Sequence, residues 1–316
     1  MLIILAVTAC TSRCATTPIK SPRPQTATVL RVEVNVGGGQ RIQTIPLEHY
    51  VRGSVPAEMP LGDSDIVVAG RLAQLQAILA RTYALANRGR HRHEGFDLCS
   101  TTHCQVYRAP EKSPEVANLV DNAVTRTSRL IITDGNGPIQ AFFHSNCGGH
   151  TSSATDIWGG PAPRYLAGVP DDYCIETPGN NWHLSLDREH LHRILNTETD
   201  TEVGQRLDQV VVLRRGPAGR AIRISVKGEK SQVIPGERLR AVINAQLGHR
   251  AFRSTLFAVD NKMGQIIFSG QGFGHGVGLC QVGSIARAQK GASVEDILAH
   301  YYPGTWIEPY STQIKH

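Results

Sequence analysis

The sequence predicts an α+β fold built as one unit with two lobes, and three observations carry that expectation. An alanine-rich stretch between Asp63 and about Arg88 has helical period and apolar or small residues on two faces, so it reads as a buried central helix. Short segments of alternating polarity separated by glycine-rich turns lie on both sides of it and read mainly as antiparallel hairpins. Residues 28–316 exceed what one small core usually holds, yet no low-complexity linker divides them. With 41% hydrophobic and 19% charged residues the composition is that of a soluble globular chain.

Met1–Ala9 is an apolar run ending in small residues before Cys10, too short to span a bilayer, and reads as a processing segment. No Lys or Arg precedes the run. Residues 10–27 are rich in Ser, Thr and Pro without apolar period, as in a tether, and residues 28–316 form the domain proper. Thr28–Val36 alternates, with Val32, Val34 and Val36 on one side, and predicts a half-buried strand that turns through Gly37-Gly-Gly39 into Arg41–Ile45. Pro46–Arg52 reads as one or two helical turns closed by Gly53. Asp63 or Ser64 is placed to cap the central helix, with Asp65 in its first turn. Val68, Leu72, Leu75 and Leu79 mark one face of that helix; Ala69, Ala73, Ala77, Ala80 and Ala84 make a second that permits close packing. A helix from Pro114 to about Thr127 precedes an expected hairpin of Leu130–Thr133 with Ile139–Phe143. Val210–Arg214 and Ala221–Val226 suggest another, and Ser293 with Asp296 begins the last helix as a capping-box variant.

The formal charge of +6 and a pI near 9.0 raise nucleic acid as a partner. The basic residues are scattered, however, with no aromatic-flanked basic stripe, which argues against nucleic acid and suits an acidic polymer outside the cytoplasm. Of seven cysteines, setting Cys10 aside leaves six, an even number that permits disulfides in an oxidising compartment.

Four segments carry polar chemistry. In Val55-Pro-Ala-Glu-Met-Pro60 a lone carboxylate, Glu58, stands between two prolines; each fixes its own φ and Pro60 pushes Met59 toward extended geometry, so the side chain can be aimed. That rigidity suits a general acid, although a charged residue at a solvated turn has the same sequence. His93, Cys99, His103 and Cys104 are close enough in sequence to surround one borderline metal such as Zn²⁺, while a Cys99–Cys104 disulfide loop fits the spacing too. Phe142–Thr151 follows an expected strand and offers His144 and Ser145 beside Gly148-Gly149. Adjacent strand residues point apart, which disfavours a Ser/His nucleophile pair, and His144 also suits a structural role. Gly270–Gln281 holds five glycines at alternate positions around His275, a backbone rich in positive-φ turns, and lacks the Gly-Lys-Ser/Thr of a phosphate cradle.

Taken in order, Val55–Pro60, Ala77-Ile-Leu-Ala-Arg-Thr-Tyr-Ala-Leu85, Asp97-Leu-Cys-x3-His-Cys-Gln-Val-Tyr107, Phe143-His-Ser-x2-Gly-Gly149, Gly272-Phe-Gly-His-Gly-Val-Gly278 and His300-Tyr-Tyr-Pro-Gly304 are similar to the SpoIID/LytB family, from about Leu47 to Thr305. The family comprises a sporulation lytic transglycosylase and an amidase enhancer. The resemblance implies a catalytic unit around a glycan-binding cleft. Its reaction is cleavage of peptidoglycan strands between N-acetylmuramic acid and N-acetylglucosamine without water, leaving a 1,6-anhydromuramyl end. By carry-over Glu58 is the general acid and base, and His144, Ser145, His275 and Gln281 bind substrate. A zinc site known in some members implies Cys99 and Cys104 with one or two of His93 and His103. Strands stripped of stem peptides and an amidase partner are also implied. Two further readings stay open: a non-catalytic enhancer of an N-acetylmuramoyl-L-alanine amidase, and a Cys-His hydrolase using Cys99 or Cys104. Cys147 and Cys280 depart from the family's more usual serine, and could bond to each other or to Cys174 if their segments converge. Val7-Thr8-Ala9-Cys10 resembles the lipobox of exported bacterial lipoproteins, which implies lipidation at Cys10 and a membrane anchor.

Overall fold

The computed structural model describes residues 28–36, 38–62, 64–109, 113–175 and 179–311; the expected processing segment, tether and Cys10 lie outside them. The chain is mixed α and β, with small sheets and no barrel among the described residues. β1 (Val29–Val36) buries Leu30, Val32 and Val34 and pairs antiparallel with β2 (Gly39–Pro46), as alternation requires.

α1 (Leu47–Glu58) corrects the expected short helix closed by Gly53, because it runs on through Gly53 and Pro56 so that Glu58 is its last residue. Gly53 is no cap. A Cβ there would lie 2.1 Å from the Arg108 carbonyl oxygen and 2.4 Å from the Tyr107 ring, so the glycine lets a later segment cross the helix. Pro60 acts as expected, leaving Met59 extended at φ −110°, ψ 121°.

α2 (Ile66–Ala86) is the buried central helix, with Leu72, Leu75, Ala77, Leu79 and Ala80 fully enclosed. Asp65 itself caps it, rather than Asp63 or Ser64, its Oδ1 accepting from the Val67 and Val68 amides at 2.9 and 3.1 Å. The buried Arg81 guanidinium binds both oxygens of Glu48 at 2.8 and 2.7 Å and also donates to the Leu130 carbonyl. β3 (Leu98–Cys99) adds to β1 in parallel, and α3 (Pro114–Arg126) packs on α1 and α2.

The expected hairpin after α3 does not form. β4 (Leu130–Thr133) instead pairs with β13 (Trp306–Pro309) at the far end of the chain. Only the Ile139 amide reaches back to the Ile132 carbonyl, at 3.1 Å, and Thr133 bridges Pro138. The polar turn was legible; the distant partner was not. β5 (Phe143–His144) and α4 (Ala154–Trp158) follow.

The chain then builds a second apolar core. β6 (Asn181–Asp187), α5 (Arg188–Leu195), β7 (Leu207–Arg215), β8 (Ala221–Gly228), β9 (Ser231–Pro235), α6 (Gly236–Leu247), β10 (Phe257–Lys262) and β11 (Gln265–Gln271) supply it. Their sheets run β7-β8-β9 and β10-β11-β6, all antiparallel, and the β7–β8 pair is the second expected hairpin. Phe252, Phe257, Phe268 and Trp182 interlock at its centre with centroids 4.9–6.4 Å apart. β12 (Leu279–Cys280) returns the chain to the first core, pairing in parallel with β5; α7 (Gln281–Gln289) and α8 (Val294–Tyr301) complete it. Ser293 and Asp296 form the expected capping box of α8. Among the described residues no helix is long and apolar enough to cross a membrane.

The contact at Gly53 gives a stability test. Gly53→Ala has no room against the Arg108 backbone, so overpacking should cost about 1–3 kcal/mol. The change should appear as a lowered melting temperature, whereas Gly62→Ala, with open space around it, should melt close to wild type.

Candidate active site

Glu58 reaches its position because α1 ends where the Cys104–Tyr107 segment passes. The Val106 amide donates to Glu58 Oε1 at 2.5 Å, and the Gln281 side-chain amide donates to the Glu58 backbone carbonyl at 2.8 Å. Burial pushes the Glu58 carboxyl up to about 7, against the opposing pull of the Val106 N–H. A carboxyl balanced there is protonated in about half of the molecules at neutral pH, which lets one group both give and take a proton.

Glu58 opens on a cavity of about 690 Å³ lined from both cores. Four sequence-predicted substrate residues line it too: His144 and Ser145 at the β5 end, His275 in the glycine-rich loop and Gln281 at the start of α7. The glycines of that loop act through space as well as φ. At Gly274 (φ +100°) a Cβ would lie 2.9 Å from the His144 side chain, and at Gly278 (φ +71°) 2.0 Å from the Phe142 carbonyl. Larger residues would hold the loop off β5.

The two histidines sit with ring centroids 5.5 Å apart. Burial drives His144 well below the ordinary imidazole range and His275 down to about 4, so both rings are neutral at pH 7. His144 Nδ1 lies 3.2 Å from the Val277 carbonyl, which makes it the protonated nitrogen; Nε2 is then a buried acceptor with no partner among the described residues. His275 Nδ1 accepts from the Val277 amide at 3.1 Å. Gln281 lines the cavity, and its side-chain amide also holds the backbone carbonyl of Glu58.

Residues that the sequence did not single out complete the cavity. Trp158, 47% exposed, stands 4.9 Å from the Phe142 ring and 5.2 Å from His275, an aromatic face of the kind that stacks on a flat ligand. The second core contributes Glu237, Arg240 and His249 from and after α6, with Arg240 Nη1 on Glu237 Oε2 at 2.9 Å. Trp158-Gly159-Gly160 carried a usable signal, an exposed-type aromatic before a glycine turn; Glu237 and Arg240 read as one ordinary helix pair.

Cys99, His103 and Cys104 come together beside this cavity, and the fourth member is His91, not the expected His93. Their ligand atoms all lie within 4.8 Å of one another, with His91 Nε2 3.2 Å from Cys104 Sγ and His103 Nδ1 3.7 and 3.8 Å from the two sulfurs. The short 3₁₀ turn Arg92–Glu94 causes the exchange. It folds His91 inward onto Phe96, ring centroids 4.6 Å apart, and leaves His93 on the surface against Arg92. Glu94 accepts from His91 Nδ1 at 2.6 Å, orienting Nε2 toward Cys104. Two thiols and two imidazoles gathered this closely are donors of the types that hold a borderline metal ion.

Comparison with known proteins now bears on this site. The family model for "Stage II sporulation protein" matches residues 35–133, and a domain of unknown function matches residues 180–278, nearly the whole second core. Stage II sporulation protein D of Bacillus amyloliquefaciens is 31% identical over 281 residues, 84% of this chain and 75% of that protein. An uncharacterized protein of Brachyspira hyodysenteriae is 31% identical over 85% of this chain and 68% of its own length. The amidase enhancer of Bacillus subtilis is 25% identical over 82% of this chain and 40% of its own. With the Glu58, Cys99–Tyr107, His144 and His275 segments converging on one cavity, and with 31% identity to Stage II sporulation protein D over most of both chains, the chain belongs to the SpoIID/LytB family.

Proposed function

We propose that the protein is a lytic transglycosylase of peptidoglycan, a two-lobed enzyme whose cavity is a glycan-binding cleft and whose proton donor and acceptor is Glu58. The observation that carries this is the Glu58 carboxyl, desolvated to about 7 and facing the cavity. With Oε1 held by Val106, Oε2 is left to carry the proton to the glycosidic oxygen between N-acetylmuramic acid and N-acetylglucosamine. The C1–O bond breaks, the N-acetylglucosamine hydroxyl leaves with that proton, and charge builds at C1. The sugar's own C6 hydroxyl then bonds to C1 and yields its proton to the Glu58 carboxylate. Glu58 is regenerated, no water is consumed, and the product ends in 1,6-anhydro-N-acetylmuramic acid. Hydrolysing glycosidases need a second carboxylate as base or nucleophile. Glu237 also lines the cavity, with its Oε2 held by Arg240.

Trp158 offers a stacking face for a sugar ring, and His144, Ser145, His275 and Gln281 line the surface that binds it. The basic balance of the chain suits a polymer whose lactyl and stem-peptide groups carry carboxylates. Denuded strands are the expected substrate, which makes an amidase the natural partner. The amidase-enhancer relative supports a second reading, in which the cleft only grips glycan and stimulates such an amidase.

His91, Cys99, His103 and Cys104 fit Zn²⁺ by donor type and spacing. Bound there, the ion would add a fixed charge and a rigid node. The residues it joins flank the loop that delivers Val106 to Glu58, so their role is to hold that amide in place. At the other end of the chain, Cys10 is the lipidated residue of an exported lipoprotein, with residues 11–27 tethering the enzyme to the envelope.

Glu58→Gln keeps the shape and removes the proton, and should lower anhydro-product formation from denuded glycan by about 10²–10⁴-fold, read by mass spectrometry. Glu237→Gln should still give anhydro ends. Wild-type turnover should fall as pH rises through about 7, where the acid form is lost. Stability supplies an independent readout. The folded pKa lies above the ordinary glutamate value of 4.5, so stability tied to protonated Glu58 is complete below about 4.5 and lost as pH rises through about 7. Relative to Glu58→Gln, wild type should lose up to roughly 3 kcal/mol across that window. Undiminished turnover by Glu58→Gln refutes the mechanism; no anhydro product from wild type, together with a stimulated amidase, establishes the binding-module reading.

Protein purified without added metal should contain zinc, and Cys104→Ser should reduce the content, as should His91→Ala but not His93→Ala. A peptide map joining Cys99 to Cys104 would overturn the assignment.

Cys10→Ala should move the protein from the membrane fraction to the soluble fraction with its activity on soluble glycan intact. An unmodified Cys10 in wild type, shown by intact mass, would sink the anchor alone.

A further inference from the structure

Three more cysteines are fully enclosed behind the cavity wall and take no part in the chemistry above. Cys147 lies in the turn after β5, Cys174 ends the 3₁₀ turn Asp172–Cys174, and Cys280 closes β12; with Asp171, their ligand atoms all lie within 4.8 Å of one another. We propose that Cys147, Cys174, Cys280 and Asp171 form a second metal site, three thiolates and one carboxylate around a thiophilic divalent ion such as Zn²⁺.

The surroundings of the four donors argue for it. Every sulfur faces a backbone amide: Gly149 donates toward Cys174 at 3.2 Å and Cys147 at 3.4 Å, while Cys147 and Gly283 donate toward Cys280 at 3.3 and 3.4 Å. Backbone amides aimed at sulfur are the outer contacts that orient metal-bound thiolates. Asp171 is fixed as metal-binding carboxylates are, Oδ2 accepting from the Tyr301 hydroxyl at 2.6 Å and Oδ1 from Arg287 at 3.3 Å.

Charge points the same way. Arg220 is enclosed beside the cluster, donating to the Cys147 carbonyl at 3.1 Å and to the Gly274 carbonyl, with Nε unpartnered and, among the described residues, no carboxylate in ion-pair contact. A buried guanidinium without a direct ion-pair partner is costly, and Glu237 acts on it only from a distance. Asp171 is neutralised by Arg287; three thiolates on a divalent ion carry a net charge of minus one, which matches Arg220. Binding converts three S–H groups to thiolates and releases three protons, with no change of oxidation state.

The sulfur spacing defines the competitor. Cys147 Sγ is 3.6 Å from Asp171 Oδ2, already close to the sulfur–oxygen edge of a tetrahedral site. Its 2.8 Å separation from Cys174 Sγ is too short for unbonded sulfurs. Opening it by about 1 Å gives the edge set by Zn–S bonds of about 2.3 Å. Closing it by about 0.8 Å gives a disulfide. An ion here would staple Ser145 and Gln281, each within two residues of a ligand, into the wall that holds Glu58.

Full-length Cys99→Ser/Cys104→Ser protein, stripped of the first donor set's thiols and purified without chelator, should retain close to one metal per chain. Adding Cys174→Ser or Cys280→Ser should remove it. In Co²⁺-loaded protein the same double variant should keep thiolate-to-cobalt absorption. Should these variants fail to fold, wild type decides: about two metals per chain, and Cys147, Cys174 and Cys280 each alkylated singly after chelator and denaturant without reductant. A peptide joining any two of these cysteines overturns the proposal, as does a double variant or wild type in which these thiols are free and no second metal is found.

Discussion

The ion pair between Arg81 and Glu48 is the constraint from which the site's geometry descends. Arg81 lies in the middle of the buried central helix with no exposed surface, so its charge must be matched where it stands, and both Glu48 oxygens do so. Glu48 is in the first turn of α1 and Glu58 in the last; fixing one end of a twelve-residue rod aims the other about 15 Å away. The same guanidinium holds the Leu130 carbonyl and so sets the strand that follows α3. Thr82, the next residue, accepts from the Ile132 amide and extends the attachment.

At the other end of the rod two opposing effects balance. Removal from water favours the neutral carboxyl, and one amide favours the carboxylate; burial wins by enough to leave the group titrating near neutrality. A second strong donor, or full exposure, would return it to an ordinary glutamate. That explains why Gln281 grips the carbonyl of Glu58 and not its carboxylate: it fixes position without spending a hydrogen bond on the charged form. The neighbouring histidines contribute no positive charge for the same reason, since each is enclosed and neutral.

Local physics was legible in the sequence wherever one element decides its own structure. Alternation gave β1, the alanine face gave α2, and Ser293 with Asp296 gave the cap of α8. Glu58 was found because prolines restrict the chain around it, although the reason proved to be a helix end and not a rigid turn. What was not legible depends on a partner far along the chain. Gly53 looks like a cap until Tyr107 and Arg108 are seen crossing it, β4 looks like half of a hairpin until β13 arrives, and His91 trades places with His93 through a single 3₁₀ turn. Glu237, Arg240 and His249 belong to a core whose residues carry no motif, and only the meeting of the two cores makes them part of the cavity.

That second core lies wholly between two pieces of the first. The first core takes its side chains from Leu30 to Cys174 and again from Val277 to Tyr310, while the second uses only Trp182 to Phe268. A chain threading out N-terminus first therefore completes the second core before β12, α7, α8 and β13 arrive, without which β4 and β5 lack partners and α2 lacks part of its cover. The half holding Glu58 must wait, open and with apolar surface exposed, until the last residues emerge. A chain that stops before β12 keeps Glu58 but lacks Gln281 and the strand partner of β5, and with them part of the cavity wall.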